Sequence, residues 1–150
     1  MYFFHYTSKN AHDTMTGETP WRCEARQPQK QTWYSEQHEK GFYVTPLSPA
    51  EMSGKTGRKT GGGAKSGEYV LVFKIDIAVS KILKNAPVTV GSVRLKLVGH
   101  PGKFALTRSG STTDDTVPFT EEMCVWHGPV EECGLQYQNP GNVIEQINKK

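Results

Sequence analysis

Two polar rings sit where packing alone would not put them. His5 lies in the apolar run Phe4-His5-Tyr6-Thr7, and Tyr43 lies in Gly41-Phe42-Tyr43-Val44-Thr45-Pro46-Leu47. A strand whose only task is burial has little use for an imidazole at its centre. Imidazole is donor, acceptor and base near neutral pH, which makes His5 a candidate for ligand or proton chemistry. The plainer alternatives are a core histidine bonded to a backbone carbonyl and an ordinary packed tyrosine. Two acids are candidates for charge chemistry. Asp76 lies inside Phe73-Lys74-Ile75-Asp76-Ile77-Ala78, and Glu132 follows Glu131 after Gly128-Pro129. An acid in so apolar a strand calls for a partner or a task, because burying a lone carboxylate is costly. The plain alternatives are a sheet-edge acid bonded to nearby amides, for Asp76, and a pair of exposed turn residues, for Glu131 and Glu132.

Other chemistries fail on spacing. The histidines at 5, 12, 38, 100 and 127 show no His-Glu-x-x-His pattern, and no cysteine pair has zinc-ligand spacing. Ser-Gly-Lys-Thr at 53–56 resembles a phosphate-binding loop, but the glycine required five residues before Gly54 is Pro49. Cys23, Cys124 and Cys133 are an odd number, so reduced thiols are expected, with a Cys124–Cys133 bridge across a hairpin as the remaining option.

These residues need elements to hold them. At 150 residues the chain is one domain, 1–150, with 35% hydrophobic residues and 24 Gly plus Pro. Short apolar runs and frequent turn residues favour a loop-rich sheet protein over a helical bundle. Strands are expected at Tyr2–Tyr6, Phe42–Thr45, Tyr69–Ala78 and Thr89–Val98, with shorter ones at Lys103–Thr107, Met123–Trp126 and Leu135–Gln138. Tyr69–Ala78 reads as the central strand. Ser8–Gly17 suits one short helix with Ser8 as N-cap, and Asn142–Asn148 a closing helical turn or a last strand. Residues 54–67 hold six glycines and four cations and read as a flexible loop. No run reaches the length of a membrane span, and no secretory-signal pattern opens the chain.

Charge is segregated. Residues 54–108 carry eleven Lys or Arg against two acids, a local +9, while 1–53 sum to −1 and 109–150 to −5. A basic middle attracts a dinucleotide, a nucleic acid or an acidic protein. A solvated face balanced by an acidic one is the bland reading.

The two ring clusters, taken in order, resemble the opening of the ADP-ribosyltransferase fold. The similarity is to the small bacterial toxin domains named for a His-Tyr-Asp signature. There a first strand ending His-Tyr-Thr (here His5, Tyr6, Thr7) precedes a Gly-aromatic-Tyr-aliphatic-Thr strand (here Gly41 to Thr45). The resemblance covers roughly residues 2–47 and implies an α+β fold of two split, bent antiparallel sheets with few short helices. It implies NAD as substrate, bound in the cleft between the sheets. His5 would bond a ribose hydroxyl and Tyr43 would stack on nicotinamide, with Phe42 packing inward. Tyr34 or Trp33 would form a second wall, and Arg22 or Arg26 would meet the pyrophosphate.

The activity implied is mono-ADP-ribosyl transfer to a protein or nucleic acid by a toxin or effector. Such a protein is secreted or delivered into a target cell's cytoplasm, and a cognate immunity or inhibitor protein is a possible partner. Cleaving the nicotinamide–ribose bond builds positive charge on the ribose, as glycoside cleavage does. A carboxylate about 4 Å away contributes roughly 4 kcal/mol at an effective dielectric near 20. The resemblance puts that acid on a late strand, which favours Glu132; Asp76 competes as the Asp of the signature. Arginine-modifying relatives carry two acids with one residue between them, so both point from one strand face. Glu131 and Glu132 are adjacent, which disfavours that acceptor.

Three further readings stand beside this one. A pure NAD glycohydrolase would use the same site with water as acceptor. A ribonuclease-like toxin would pair His5 with His100 or His127 and bind phosphate through Arg94, Lys96 or Lys103. A non-catalytic module would use Lys55 to Lys65 as an electrostatic tether.

Overall fold

Among the described residues, aromatic and β-branched side chains in short runs build seven strands, all antiparallel, and together with short helices they make an α+β fold. The structure, a computed structural model, describes residues 1–18, 21–23, 41–52, 68–82, 88–91, 93–97, 104–108, 120–142 and 145. In chain order the strands are β1 (Tyr2–Thr7), β2 (Phe42–Val44), β3 (Tyr69–Lys74), β4 (Val88–Val90), β5 (Val93–Leu97), β6 (Phe104–Arg108) and β7 (Cys124–Pro129). They form two sheets, one ordered β1-β3-β7 and the other β2-β6-β5-β4.

The sheets meet at β1 and β2. Phe4 N–H donates to the Thr45 carbonyl at 2.7 Å and Thr45 N–H returns the bond to Phe4 at 2.9 Å. From this single bridge the two strands part. The split expected between two small antiparallel sheets therefore falls between the two ring-bearing clusters.

Tyr69–Lys74 is the central strand of its sheet, and Val70, Leu71, Val72 and Phe73 are fully buried on its two faces. It ends at Lys74, earlier than expected, leaving Asp76 exposed beyond the ladder. Leu71 and Phe73 join Phe3 on the face covered by Phe42, Val44, Val93 and Leu95 of the other sheet. Val70 and Val72 join Phe4 on the opposite face, covered by Trp126, Val130, Cys133 and Tyr137.

The expected strand Thr89–Val98 is two strands. Val90 pairs with Val93, and Gly91 between them takes φ 60°, a conformation that glycine adopts without steric cost. Val93 and Leu95 are buried and Arg94 is exposed, the alternation read from the sequence. Leu135–Gln138 is a turn and not a strand. Tyr137 N–H donates to the Gly134 carbonyl, the Gln138 side chain donates to the Leu135 carbonyl at 2.7 Å, and Leu135 is 75% exposed. Of the closing segment, Gly141, Asn142 and Glu145 are helical; the remainder lies outside the described residues.

The first helix, α1 (Lys9–Thr16), is the one expected. Ser8 is its N-cap, with a side-chain oxygen accepting from Ala11 N–H at 3.2 Å. A second, α2 (Pro49–Met52), is one turn whose Glu51 reaches back over its start: Glu51 Oε1 accepts from Ser48 N–H at 3.0 Å and Ser48 Oγ–H at 2.9 Å. All three cysteines are free thiols. No helix among the described residues is long and apolar enough to cross a membrane.

Candidate functional site

The bridge between Phe4 and Thr45 fixes the register at which β1 and β2 face each other. An antiparallel ladder alternates bonded and unbonded pairs, so the next bonded pair past Phe4–Thr45 would be Tyr6–Tyr43. At that position the Tyr43 carbonyl instead meets the His5 ring, with Nδ1 at 2.7 Å. The imidazole stands in for a backbone donor where the strands part. It also stacks on Phe42, ring centroids 4.0 Å apart and planes 21° from parallel, and Phe42 meets Phe73 edge-on at 6.0 Å. His5 is thus wedged between the two sheets by residues of both.

This geometry fixes the tautomer. A carbonyl only accepts, so Nδ1 carries the proton and Nε2 keeps a lone pair. Nε2 has no hydrogen-bond partner among the described residues. Burial lowers the ring's pKa to about 4, with the Tyr43 carbonyl partly opposing the shift. His5 is therefore neutral at pH 7: an acceptor at Nε2 and a poor base. The bond to a backbone carbonyl is the one expected of a structural histidine, yet it occupies only one of the two nitrogens.

Beside His5, Thr7 is buried opposite Tyr69, and Gly41 is buried at the start of β2. Tyr6 points to the other face, where its hydroxyl donates to the Leu47 carbonyl at 2.8 Å and burial pushes its pKa up. Tyr43 is half-buried on β2, opposite Ala105. Arg22 is exposed, its backbone N–H bonded to the Met15 carbonyl at 3.1 Å. Tyr34, Trp33, Arg26 and the Lys55 to Lys65 segment lie outside the described residues, as do His38, His100 and Lys103.

The two candidate acids are placed apart. Asp76 is close enough to the Met1 amine to act on its charge, five residues along the chain from Leu71, the β3 partner of His5. At about 3.3 Å per residue that is roughly 16 Å. Glu132 is exposed in a 3₁₀ turn, Val130–Glu132, at the opposite end of the same sheet, and not on a strand. Among the described residues no carboxylate perturbs the His5 ring.

A second cluster lies on the same sheet face. His12 of α1 bonds Asp13 Oδ1 through Nδ1 at 2.9 Å and meets His127 Nδ1 through Nε2 at 2.9 Å. Asp13 also pairs with Lys9 at 3.1 Å. His127 therefore partners His12 and not His5. The two rings are in direct contact, too close to flank a scissile phosphate as a ribonuclease acid–base pair must. Nothing in the local sequence announces this pairing, because 115 positions separate the two histidines. Thiolate chemistry has little support: burial pushes the Cys124 thiol up to about 11 and raises Cys133 as well. No set of three or more metal-ligating side chains occurs among the described residues.

No family model, no curated protein and no solved structure matches this chain.

Proposed function

We propose that this protein binds NAD at the parting of β1 and β2 and transfers its ADP-ribosyl group to a macromolecule, as a toxin or effector. The observation that carries this reading is the state of His5: neutral, its proton fixed at Nδ1, its Nε2 lone pair without a partner among the described residues. Such an atom suits one task well, accepting a hydrogen bond from a ribose hydroxyl. The ring of Tyr43, on the strand whose carbonyl orients His5, is the proposed platform for nicotinamide. Glu132 or Asp76 supplies the negative charge for the ribosyl cation. They stand at opposite ends of one sheet, so at most one lies beside a ribose held at His5.

The test is incubation with labelled NAD and a cell lysate. Label carried to protein or RNA is the expected result. Free nicotinamide without transferred label favours the glycohydrolase, and intact NAD overturns the reading. Glu132→Gln and Asp76→Asn both fold normally, since both side chains are exposed. Only one should lose turnover, by about a thousandfold for a charge contribution near 4 kcal/mol. Loss in neither removes both acids from the mechanism.

A further inference from the structure

The chain Asp13–His12–His127 is the most chemically organised group among the described residues, and the NAD-binding reading leaves it without a task. Its polarity follows from the atoms. The Asp13 carboxylate only accepts, so His12 Nδ1 carries a proton and donates to it. With one proton on each imidazole, His12 presents a lone pair at Nε2 and His127 Nδ1–H donates inward. The remaining atom, His127 Nε2, holds a lone pair at the outer end of an exposed ring. All donors point toward Asp13.

The surroundings hold this arrangement. His12 is 7% exposed and packs on the Tyr69 ring at 4.8 Å. Trp21 meets His127 edge-on at 5.1 Å. The hydrogen bond from His12 first, then Lys9, keeps the Asp13 carboxyl below the usual range, so it is ionised at neutral pH. Partial burial, then the nearness of His12, lowers the pKa of His127, leaving it unprotonated at pH 7. Among the described residues, the titratable groups beside the rings are Asp13 of α1, itself paired with Lys9, and Tyr69 of β3. An exposed imidazole alone is a common surface feature; one backed by a buried second imidazole and a carboxylate can pass a proton's charge inward.

Its position relates it to the first site. His5 and His127 are both register partners of Leu71, one on each neighbouring strand, and partners in a ladder project from one face. Two strand spacings separate them, roughly 10 Å.

We propose that Asp13, His12 and His127 form a proton relay in which His127 Nε2 is the general base that deprotonates the acceptor hydroxyl. This rests on the NAD reading above. The nicotinamide–C1′ bond breaks with its electron pair leaving on nicotinamide, and the acceptor oxygen bonds to C1′. The acceptor proton passes to His127 Nε2. The Nδ1 proton of His127 can shift to His12, placing the positive charge beside the Asp13 carboxylate until the proton returns to water. His12 and Asp13 are positioning residues, and His127 touches the acceptor.

The experiment uses NAD with two nucleophiles, methanol, which must lose a proton, and azide, which need not. His127→Gln, at an exposed position, should lower water and methanol capture about a hundredfold or more, the range for general bases. Azide should restore turnover by forming ADP-ribosyl azide. Asp13→Asn should lower the plateau rate several-fold and move the ascending limb of the pH profile to lower pH by about one unit. Unchanged methanol capture in His127→Gln overturns the base role, as does loss that azide does not rescue in a variant of unchanged Tm. A pH profile unmoved in Asp13→Asn overturns the relay. A wild-type protein that releases no nicotinamide, with or without azide, overturns the NAD reading and the base role with it.

Discussion

At His5 one ring nitrogen is committed to the Tyr43 carbonyl, and the buried ring has a pH signature. The folded ring titrates near 4 against an unfolded value of 6.5. Above pH 6.5 both states are neutral and the group contributes no slope. Between 6.5 and about 4 only the unfolded chain takes up the proton, so stability falls through that window as pH falls. The full shift corresponds to about 3 kcal/mol. In His5→Gln that slope should vanish: urea midpoints measured at pH 7 and pH 5 should lie closer together than in the wild type. An equal acid-induced drop in both proteins would show that His5 is not the titrating group.

Among the elements, the outer edge of β1 is closed by three different devices. Tyr2 is held by the Asn139 side chain, Phe4 by the Thr45 backbone, and the position facing Tyr6 by the imidazole wedge. Asn139 acts as a one-residue strand. Its Oδ1 accepts from Tyr2 N–H at 2.8 Å, while Nδ2 donates to the Tyr2 carbonyl at 2.8 Å and the Pro46 carbonyl at 2.9 Å. One buried amide thus ties the C-terminal segment to β1 and to the end of β2. Asn139→Ala leaves those groups without partners and should cost about 2–3 kcal/mol. Asn139→Asp should be no better at pH 7, since a carboxylate faces two carbonyls there. Thermal unfolding of the two variants side by side checks this; an Asp variant as stable as the wild type would contradict the assigned amide orientation.

For the whole molecule the vital joint is the meeting of the two sheets, because a single backbone bridge joins them among the described residues. Side-chain packing supplies the rest. Phe42, 4% exposed, touches His5 on one side and Phe73 on the other. Phe42→Ala should cost about 3–5 kcal/mol. Because it removes the stacking partner of His5, it should also raise that ring's pKa toward the ordinary value, readable by NMR titration. A large stability loss with the His5 titration unmoved would separate packing from the wedge.

Local order alone settled a good deal of this protein. Ser8 capping α1, the apolar run at 69–74 as a central strand, and the alternation of Val93, Arg94 and Leu95 follow from interactions within a few residues. The strand limits were harder to read, as with Asp76 beyond β3 and Gly91 dividing β4 from β5, since pairing partners decide where a ladder stops. That the strands carrying His5 and Tyr43 lie side by side follows from long-range packing, through the Phe4–Thr45 bridge. That the His5 ring bonds the Tyr43 carbonyl, and so which nitrogen carries the proton, depended on where two sheets part. The Asp13–His12–His127 chain was invisible beforehand: a helix near the start and a strand near the end meet only after β3 has brought them together. Short-range patterns select elements because they cost little entropy to form, whereas a hydrogen-bonded chain between distant residues forms only once long-range packing has closed the chain upon itself.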